Sequence, residues 1–180
     1  NPRAGGHIYT WTLGTGKSVH AVAREFGHEE IVRLLLEHTP AELRLAVTCE
    51  LGDEEGLDAL LAARDNRPYE IPPGERLRLP FLAERGQREA VRLMLKAGWP
   101  PDATARHGAT ALHWAAFHGD TALARVILPH QPPLEARDRE FKATPLGWAL
   151  YGSLNGWRKD VGDYAGVVEL LLSTGAAPPP

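Results

Sequence analysis

Apolar positions along the chain recur at helical spacing, in pairs of short segments. The clearest pair spans residues 108–128, where one apolar face is followed by Gly119 and then by a second apolar stripe. Thr110 suits the N-cap of the first helix because its hydroxyl can accept a hydrogen bond from a free backbone N–H. Gly119 suits the left-handed residue that ends it. The pattern predicts two helices joined by a tight turn. The face is formed by Leu112, Ala115 and Ala116, and the stripe by Leu123, Val126, Ile127 and Leu128.

The same helical pair recurs along the chain. Each helix start is followed nine residues later by a turn residue, and a second stripe follows each turn. The starts are separated by 25, 34, 33 and 34 residues. Because two short helices cannot bury their apolar faces alone, a unit with this period predicts a stack of helical repeats. The starts and turns are Ser18 and Gly27, Leu43 and Gly52, Leu77 and Gly86, Thr110 and Gly119, and Thr144 and Ser153.

The period and several motifs resemble the ankyrin repeat. The residues that carry the likeness are Thr110-Ala-Leu-His113, Thr144-Pro-Leu146, the turns Gly27-His28 and Gly119-Asp120, and the leucine runs that end at Leu36 and Leu172. The likeness covers nearly the whole chain, which is similar in particular to bacterial ankyrin-repeat proteins. It implies an all-α fold, an ankyrin-repeat solenoid of stacked helix-turn-helix units with short hairpin loops.

We expect residues 1–180 to form a single array. Residues 1–17 are predicted to be a loop from a preceding repeat, because Asn1-Pro2 resembles the segment after an ankyrin second helix; a fragment is therefore expected. In the last repeat the second helix, Val167 to Leu172, begins ten residues late. The surplus residues 152–162 are predicted to form an inserted loop on one face. The repeats are expected at residues 18–39, 43–63, 77–98, 110–130 and 144–176.

Two junctions depart from the common pattern. Repeat two follows Leu36 after only six residues, which predicts a tight helix–helix turn in place of a protruding hairpin. Residues 64–76 contain Pro68, Pro72, Pro73 and Gly74, and are predicted to be a longer loop.

Composition limits the classes of partner. A formal net charge of −3 and a pI near 6.3 give no electrostatic reason to expect nucleic acid or an anionic membrane. No apolar run approaches the roughly 18 residues of a membrane helix. The single cysteine, Cys49, excludes an internal disulfide and is expected to be buried within a helix. We expect a cytoplasmic monomer.

Two patterns suggest catalysis or ligand binding, and both have simpler explanations. Gly14-Thr-Gly-Lys-Ser18 lacks the earlier glycine of a phosphate loop, because position 11 is Trp11. His107, His113 and His118 are spaced by six and five residues, so they share no helical face that could bind a metal. The resemblance implies instead that His113 makes structural hydrogen bonds between loops.

No catalytic motif is apparent. A nucleophile turn of the form Gly-x-Ser-x-Gly is missing, and the carboxylates lie at helix starts or in loops, where capping explains them. We therefore predict a non-catalytic protein with no cofactor, no metal and no catalytic residues.

The resemblance implies a protein partner, which would contact the hairpin tips and the exposed ends of the first helices. Trp114 and Trp148 fall at the apolar framework position and are predicted to be core. Phe117 and Phe141 have an alternative role, as side chains partly covered by a neighbouring repeat. Two other functions stay open: a regulatory or substrate-recruiting segment of a larger enzyme, and a small-ligand site at the insertion. The candidate contacts are Arg106, His107, Phe117, His118, Glu140, Phe141, Tyr151 and, in the insertion, Trp157.

Overall fold

A computed structural model describes residues 17–63 and 70–178, and within these ranges the regular secondary structure is helical. The only extended pairing there is a single antiparallel bridge between Thr104 and Thr110. The all-α prediction is therefore confirmed. The phosphate-loop segment and the predicted N-terminal loop lie almost wholly outside the described residues.

The chain divides into two compact units, residues 1–69 and 70–180. The described part of the first unit contains two helical pairs. Helices α1 and α2 form the first pair and α3 and α4 the second, and α1 also packs against α3. Only three residues separate α2 from α3, which confirms the predicted tight turn. The helices are α1 (Val19–Glu25), α2 (Glu29–Glu37), α3 (Ala41–Glu50) and α4 (Glu54–Ala62).

The second unit stacks three helical pairs in two rows. The first helices pack in the order α6, α8, α10, and the second helices in the order α7, α9, α11. A short helix, α5, begins at Pro73 inside the segment predicted as a loop, because proline is tolerated in the first turn of a helix. The helices are α5 (Pro73–Arg76), α6 (Arg78–Glu84), α7 (Arg88–Lys96), α8 (Ala111–Phe117), α9 (Thr121–Ile127), α10 (Pro145–Asn155) and α11 (Tyr164–Thr174).

Local chemistry explains why the helices begin and end where they do. The Thr110 hydroxyl accepts a hydrogen bond from the N–H of His113, and the His113 ring accepts one from the N–H of Thr110, which forms a capping box. Gly119 has a φ of +60°, a conformation that favours glycine. The other predicted turn glycines, Gly27, Gly52 and Gly86, also have positive φ.

The core lies between the two rows of helices. Leu79, Leu93, Leu112, Leu123 and Leu171 are completely buried there. In the first unit Cys49 is completely buried as predicted, and burial raises the pKa of its thiol to about 12. The thiol is thus a small apolar group of the core and not a nucleophile.

The last repeat differs from its prediction. Residues 152–155, predicted as part of an inserted loop, instead extend α10 by one turn, and the connecting loop is residues 156–163. The extension is possible because Gly152 lets α10 approach α8 closely: a Cβ at Gly152 would lie 2.4 Å from the Phe117 carbonyl oxygen. The insertion is therefore a longer helix followed by a shorter loop.

Candidate functional site

A cavity of about 300 Å³ lies between α8 and α10 in the second unit. Helix α8 contributes two aromatic rings, α10 contributes two more, and the loop that follows α10 contributes Trp157. The hairpins before the two helices complete the walls. The cavity is lined by His107, Trp114, Phe117, Phe141, Ala143, Gly147, Trp148, Tyr151 and Trp157. We call it the aromatic cavity.

The rings of the cavity pack mainly edge to face. Trp114 and Trp148 are perpendicular, with ring centroids 5.1 Å apart, and Phe117 meets Trp157 at 4.8 Å. Phe117 also packs against Trp148 at 5.7 Å. Edge-to-face pairs at these distances are the favoured geometry for aromatic rings, so the walls hold one another in place.

A buried carboxylate holds Trp148 in its orientation. Asp138 Oδ2 accepts a hydrogen bond from Trp148 Nε1 at 3.0 Å and another from the N–H of Ala143 at 2.9 Å. Its Oδ1 accepts from the N–H groups of Glu140 and Phe141. Burial opposes ionisation of Asp138, but these four donors outweigh it and hold the pKa of the carboxyl below its usual value.

His113 joins the two repeats beneath the cavity. Its Nδ1 accepts from the N–H of Thr110 at 3.2 Å, and its Nε2 donates to the carbonyl of Ala143 at 3.2 Å. Burial lowers the pKa of the ring, which is thereby kept neutral. The structural bonds that the resemblance implied for His113 are present.

His107 lies at the edge of the cavity in a strained backbone conformation, with a φ of +59°. Its carbonyl accepts hydrogen bonds from the N–H of Arg139 at 2.8 Å and that of Glu140 at 3.3 Å. Its ring is hydrogen-bonded to the Glu140 carboxylate. These bonds between the two hairpins stabilise the strained residue and fix one edge of the cavity.

The loop at residues 156–163 folds back over the turn between α8 and α9. The N–H of Asp163 donates to the carbonyl of Gly119 at 2.9 Å, and the Asp163 carboxylate caps α11. Trp157 is thereby placed 5.4 Å from the His118 ring and closes one side of the cavity.

His118 is not at the surface where a partner could contact it. Its ring is 2% exposed and packs against Trp114, Phe117 and Trp157. Burial, helped by the positive charge of Arg158, lowers its pKa to about 4. The ring is therefore a neutral support behind the cavity wall.

The other predicted contacts divide into two groups. Five of them line the cavity, and the exposed ones are Phe141 (61%), Tyr151 (62%) and Trp157 (69%). Arg106 and Glu140 do not line it: Arg106 pairs with Glu84, and Glu140 pairs with His107. The five lining residues are His107, Phe117, Phe141, Tyr151 and Trp157.

Sequence reasoning missed three lining residues, Trp114, Trp148 and Gly147. Trp114 and Trp148 are buried as predicted, yet each also presents a surface to the cavity. A signal was available, since the two tryptophans are 34 residues apart and so occupy equivalent positions in adjacent repeats. Gly147 carries no such signal, whereas Ala143 lies with Phe141 in the hairpin where the resemblance implies partner contacts. Both residues line the cavity, and their small size leaves it open.

Within the described ranges no group of three or more His, Cys, Asp or Glu side chains is arranged to hold a metal ion. No helix there is both long and apolar enough to cross a membrane.

Comparison with known proteins identifies the repeat. A family model for ankyrin repeats, in three copies, matches residues 79–178, which is more than half of the chain. Palmitoyltransferase Hip14 of Drosophila melanogaster is 27% identical over 126 residues, covering 70% of this chain and 18% of that protein. The E3 ubiquitin-protein ligase XB3 of Oryza sativa subsp. japonica is 41% identical over 71 residues, covering 39% of this chain and 16% of that protein. The chain thus spans less than a fifth of either relative.

Proposed function

Because the chain belongs to the ankyrin-repeat family, whose repeats are non-catalytic protein-interaction modules, we propose that it binds a protein partner through the concave surface of repeats four and five. The observation that carries this proposal is the aromatic cavity between α8 and α10. Partly exposed aromatic side chains around a preformed cleft are the residue types that dominate binding energy in protein interfaces.

The position of the cavity supports this proposal. Tyr151 lies on α10, Phe141 at the tip of the preceding hairpin and Trp157 on the loop after the helix. Their side chains remain more than half exposed although the surrounding rings are packed. Such side chains lose little conformational freedom on binding, because each has few rotatable bonds and their neighbours already hold them.

The test is affinity capture from the native host, with the intact chain compared with a Phe117→Ala, Phe141→Ala, Tyr151→Ala triple variant. We expect the triple variant to lose the partners that the intact chain retains. A matched control, Val161→Ala with Leu172→Ala, removes exposed apolar side chains of the same unit that do not line the cavity. Recovery of the same partners by the triple variant would show that the proposed surface is wrong.

A second candidate is that the chain is the regulatory or substrate-recruiting segment of a larger enzyme. Both relatives are named as enzymes, and each matches over less than a fifth of its own length. The sequence that flanks this segment in its gene decides between the two: an adjoining catalytic domain would favour recruitment within one polypeptide.

A third candidate is a small-ligand site at the insertion. Trp157 from the inserted loop lines the cavity, and a volume of about 300 Å³ is the lower limit for small-molecule sites. Tryptophan fluorescence measured against a metabolite panel tests this candidate, and the absence of any response at millimolar ligand would exclude it.

We further infer a cytoplasmic monomer that does not bind nucleic acid. The net charge of −3 and the single buried thiol support these inferences. Light scattering on a sizing column measures the oligomeric state.

A further inference from the structure

We propose that the partner anchors itself by one aromatic side chain, flanked in its own sequence by carboxylates, which enters the aromatic cavity between Phe141 and Trp157. The inference rests on the proposed function and names the chemistry of the partner. Three observations carry it: the size of the cavity, the exposure of its entrance and the charge of the chain segments beside the entrance residues.

The size of the cavity favours a single side chain of the partner as its occupant. Its volume of about 300 Å³ is at the lower end of the range for drug-sized ligands, and its walls are almost entirely aromatic. An aromatic side chain can pack edge to face against such walls, in the geometry that Trp114 and Trp148 already show.

The entrance is open and apolar. Phe141, Tyr151 and Trp157 surround it, and each is more than 60% exposed. An entering ring would cover apolar surface on all three, which is the main source of favourable free energy in such contacts.

The charged residues that adjoin Phe141 and Trp157 in the chain favour an acidic partner. Residues 137–142 and 156–160 carry five basic and three acidic side chains, although the whole chain has a net charge of −3. Groups of both signs are engaged within the fold: Asp138 and Glu140 accept hydrogen bonds, and Arg137 and Lys142 donate to backbone carbonyls. The two segments keep a formal net charge of +2. The basic residues are Arg137, Arg139, Lys142, Arg158 and Lys159.

The same charges argue against a cationic occupant. Aromatic cages bind quaternary ammonium groups through the faces of their rings. Here Arg158 is close enough to His118, directly behind the cavity wall, to help lower the pKa of that histidine. A cation in the cavity would face this positive charge, whereas carboxylates beside an aromatic anchor would be attracted by it.

The experiment is a selection of random twelve-residue peptides displayed on phage against the intact chain at low salt. We expect recovered peptides to share one aromatic residue with acidic neighbours. Synthetic peptides of that sequence are then measured by fluorescence anisotropy. Replacing the aromatic residue of the peptide by alanine is expected to weaken binding at least tenfold, and raising the salt concentration is expected to weaken it further.

Matched variants of the protein locate the contact. Trp157→Ala and Phe141→Ala, which alter exposed side chains of the entrance, are each expected to weaken peptide binding about tenfold. Lys159→Glu should weaken it about threefold, as is usual for a charge at the edge of an interface. Lys96→Glu makes the same substitution on an exposed residue of α7 and should leave binding unchanged.

A direct readout of the anchor is the indole N–H signals in an amide correlation NMR spectrum, assigned by single Trp→Phe variants. We expect peptide to move the signals of Trp114 and Trp157. The signal of Trp99, whose Nε1 donates to the carbonyl of Glu75 at 3.0 Å, should stay in place.

Three results would overturn the inference: recovery of basic or purely aliphatic peptides, recovery of no peptide in replicate selections, or binding unaffected by Trp157→Ala and Phe141→Ala. The proposed function fails separately, if the native partner is captured equally by the triple cavity variant. Loss of the native partner from that variant, combined with any of the three results, would leave the binding surface in place and reject only the acidic aromatic anchor.

Discussion

Three histidines within twelve residues of one another have three different environments. The His107 ring is at the edge of the cavity and bonds to Glu140, the His113 ring links two hairpins, and the His118 ring is buried among aromatic side chains. Both nitrogens of His118 lack hydrogen-bond partners among the described residues. Since a neutral ring is far less costly to bury than a charged one, protonation of His118 opposes folding.

The effect of His118 predicts a specific pH dependence. Its pKa in the fold, about 4, lies below the ordinary histidine value of 6.5, so the unfolded chain takes up a proton first as the pH falls. The contribution of the neutral His118 ring to the free energy of unfolding is therefore fully present above pH 6.5. It is lost progressively towards pH 4, by up to about 3 kcal/mol. In His118→Leu we expect a smaller loss, measured by urea unfolding at several pH values.

The control for this measurement is His130→Leu, which removes an exposed ring from the same unit. It should keep the pH dependence of the unaltered protein. A His118→Leu variant that loses as much stability on acidification as the unaltered protein would contradict the assignment.

Asp138 is the residue on which the second hairpin and Trp148 depend. In Asp138→Asn, one acceptor oxygen becomes an amide that faces backbone or indole N–H donors, whichever way it is oriented. We expect the free energy of unfolding to fall by about 3 kcal/mol, because hydrogen bonds to a charged group are replaced by an opposed pair of donors. Urea unfolding followed by tryptophan fluorescence measures the change.

Asp160→Asn is the matched control, since it makes the same substitution at an exposed carboxylate of the loop. It should change stability by less than about 0.5 kcal/mol. Equal losses of stability in the two variants would show that the hydrogen bonds of Asp138 do not stabilise the fold. Acid should act like Asp138→Asn: because the folded pKa of Asp138 is lowered, its contribution is lost as the pH falls below 3.8.

At the scale of elements, the decisive contact is the approach of α10 to the end of α8. The Phe117 carbonyl accepts a hydrogen bond from the Tyr164 hydroxyl at 3.1 Å, and Gly152 packs directly against the same carbonyl. Three elements therefore meet at one backbone group: the end of α8, the extended part of α10 and the start of α11. The distance between α8 and α10 at this point sets the width of the aromatic cavity.

Gly152→Ala should force these helices apart. The new Cβ would lie 2.4 Å from the Phe117 oxygen, far inside normal contact distance. We expect a loss of about 2 kcal/mol despite the better helix propensity of alanine, because backbone atoms must move. Gly74→Ala is the control, since open space surrounds that position, and it should not destabilise the fold. Thermal unfolding of both variants measures these effects. A Gly152→Ala variant as stable as the unaltered protein would show that the helices can separate without cost.

At the scale of the molecule, the three family-matched repeats coincide with the second compact unit. The match spans residues 79–178, and the unit spans residues 70–180. Stability in repeat proteins is roughly a sum of the repeats and the interfaces between neighbours, and about three repeats are needed for independent folding. The second unit meets that requirement with its three helical pairs.

We therefore expect residues 70–178 to fold when produced alone. A cooperative urea transition followed by circular dichroism would confirm it. Residues 1–69, with two helical pairs among the described residues, should show little or no cooperative transition. Loss of helical signal from residues 70–178 in isolation would show that their stability depends on the remainder of the chain.

The sequence alone was sufficient to predict the paired helices of the repeats, the Thr110 cap and the family. These features depend on local chemistry, such as the Thr110 cap and the Gly119 turn, and on a period that a single chain displays. The limits of α10 were predicted less well, because only packing against α8 shows that Gly152 continues a helix. Five of eight candidate contacts line the cavity: four lie at hairpin or helix-end positions, which follow from the repeat pattern, and Trp157 lies in the insertion.

Only the tertiary structure shows which of the candidate contacts are buried and which line a cavity. The burial of His118 depends on a loop that returns forty residues later to cover the turn at Gly119. The cavity likewise exists only because Trp114 and Trp148, one repeat apart, meet edge to face while Ala143 and Gly147 leave space between them. Periodicity specifies which face of a helix is apolar, but the volume enclosed by two such faces depends on how closely their backbones approach.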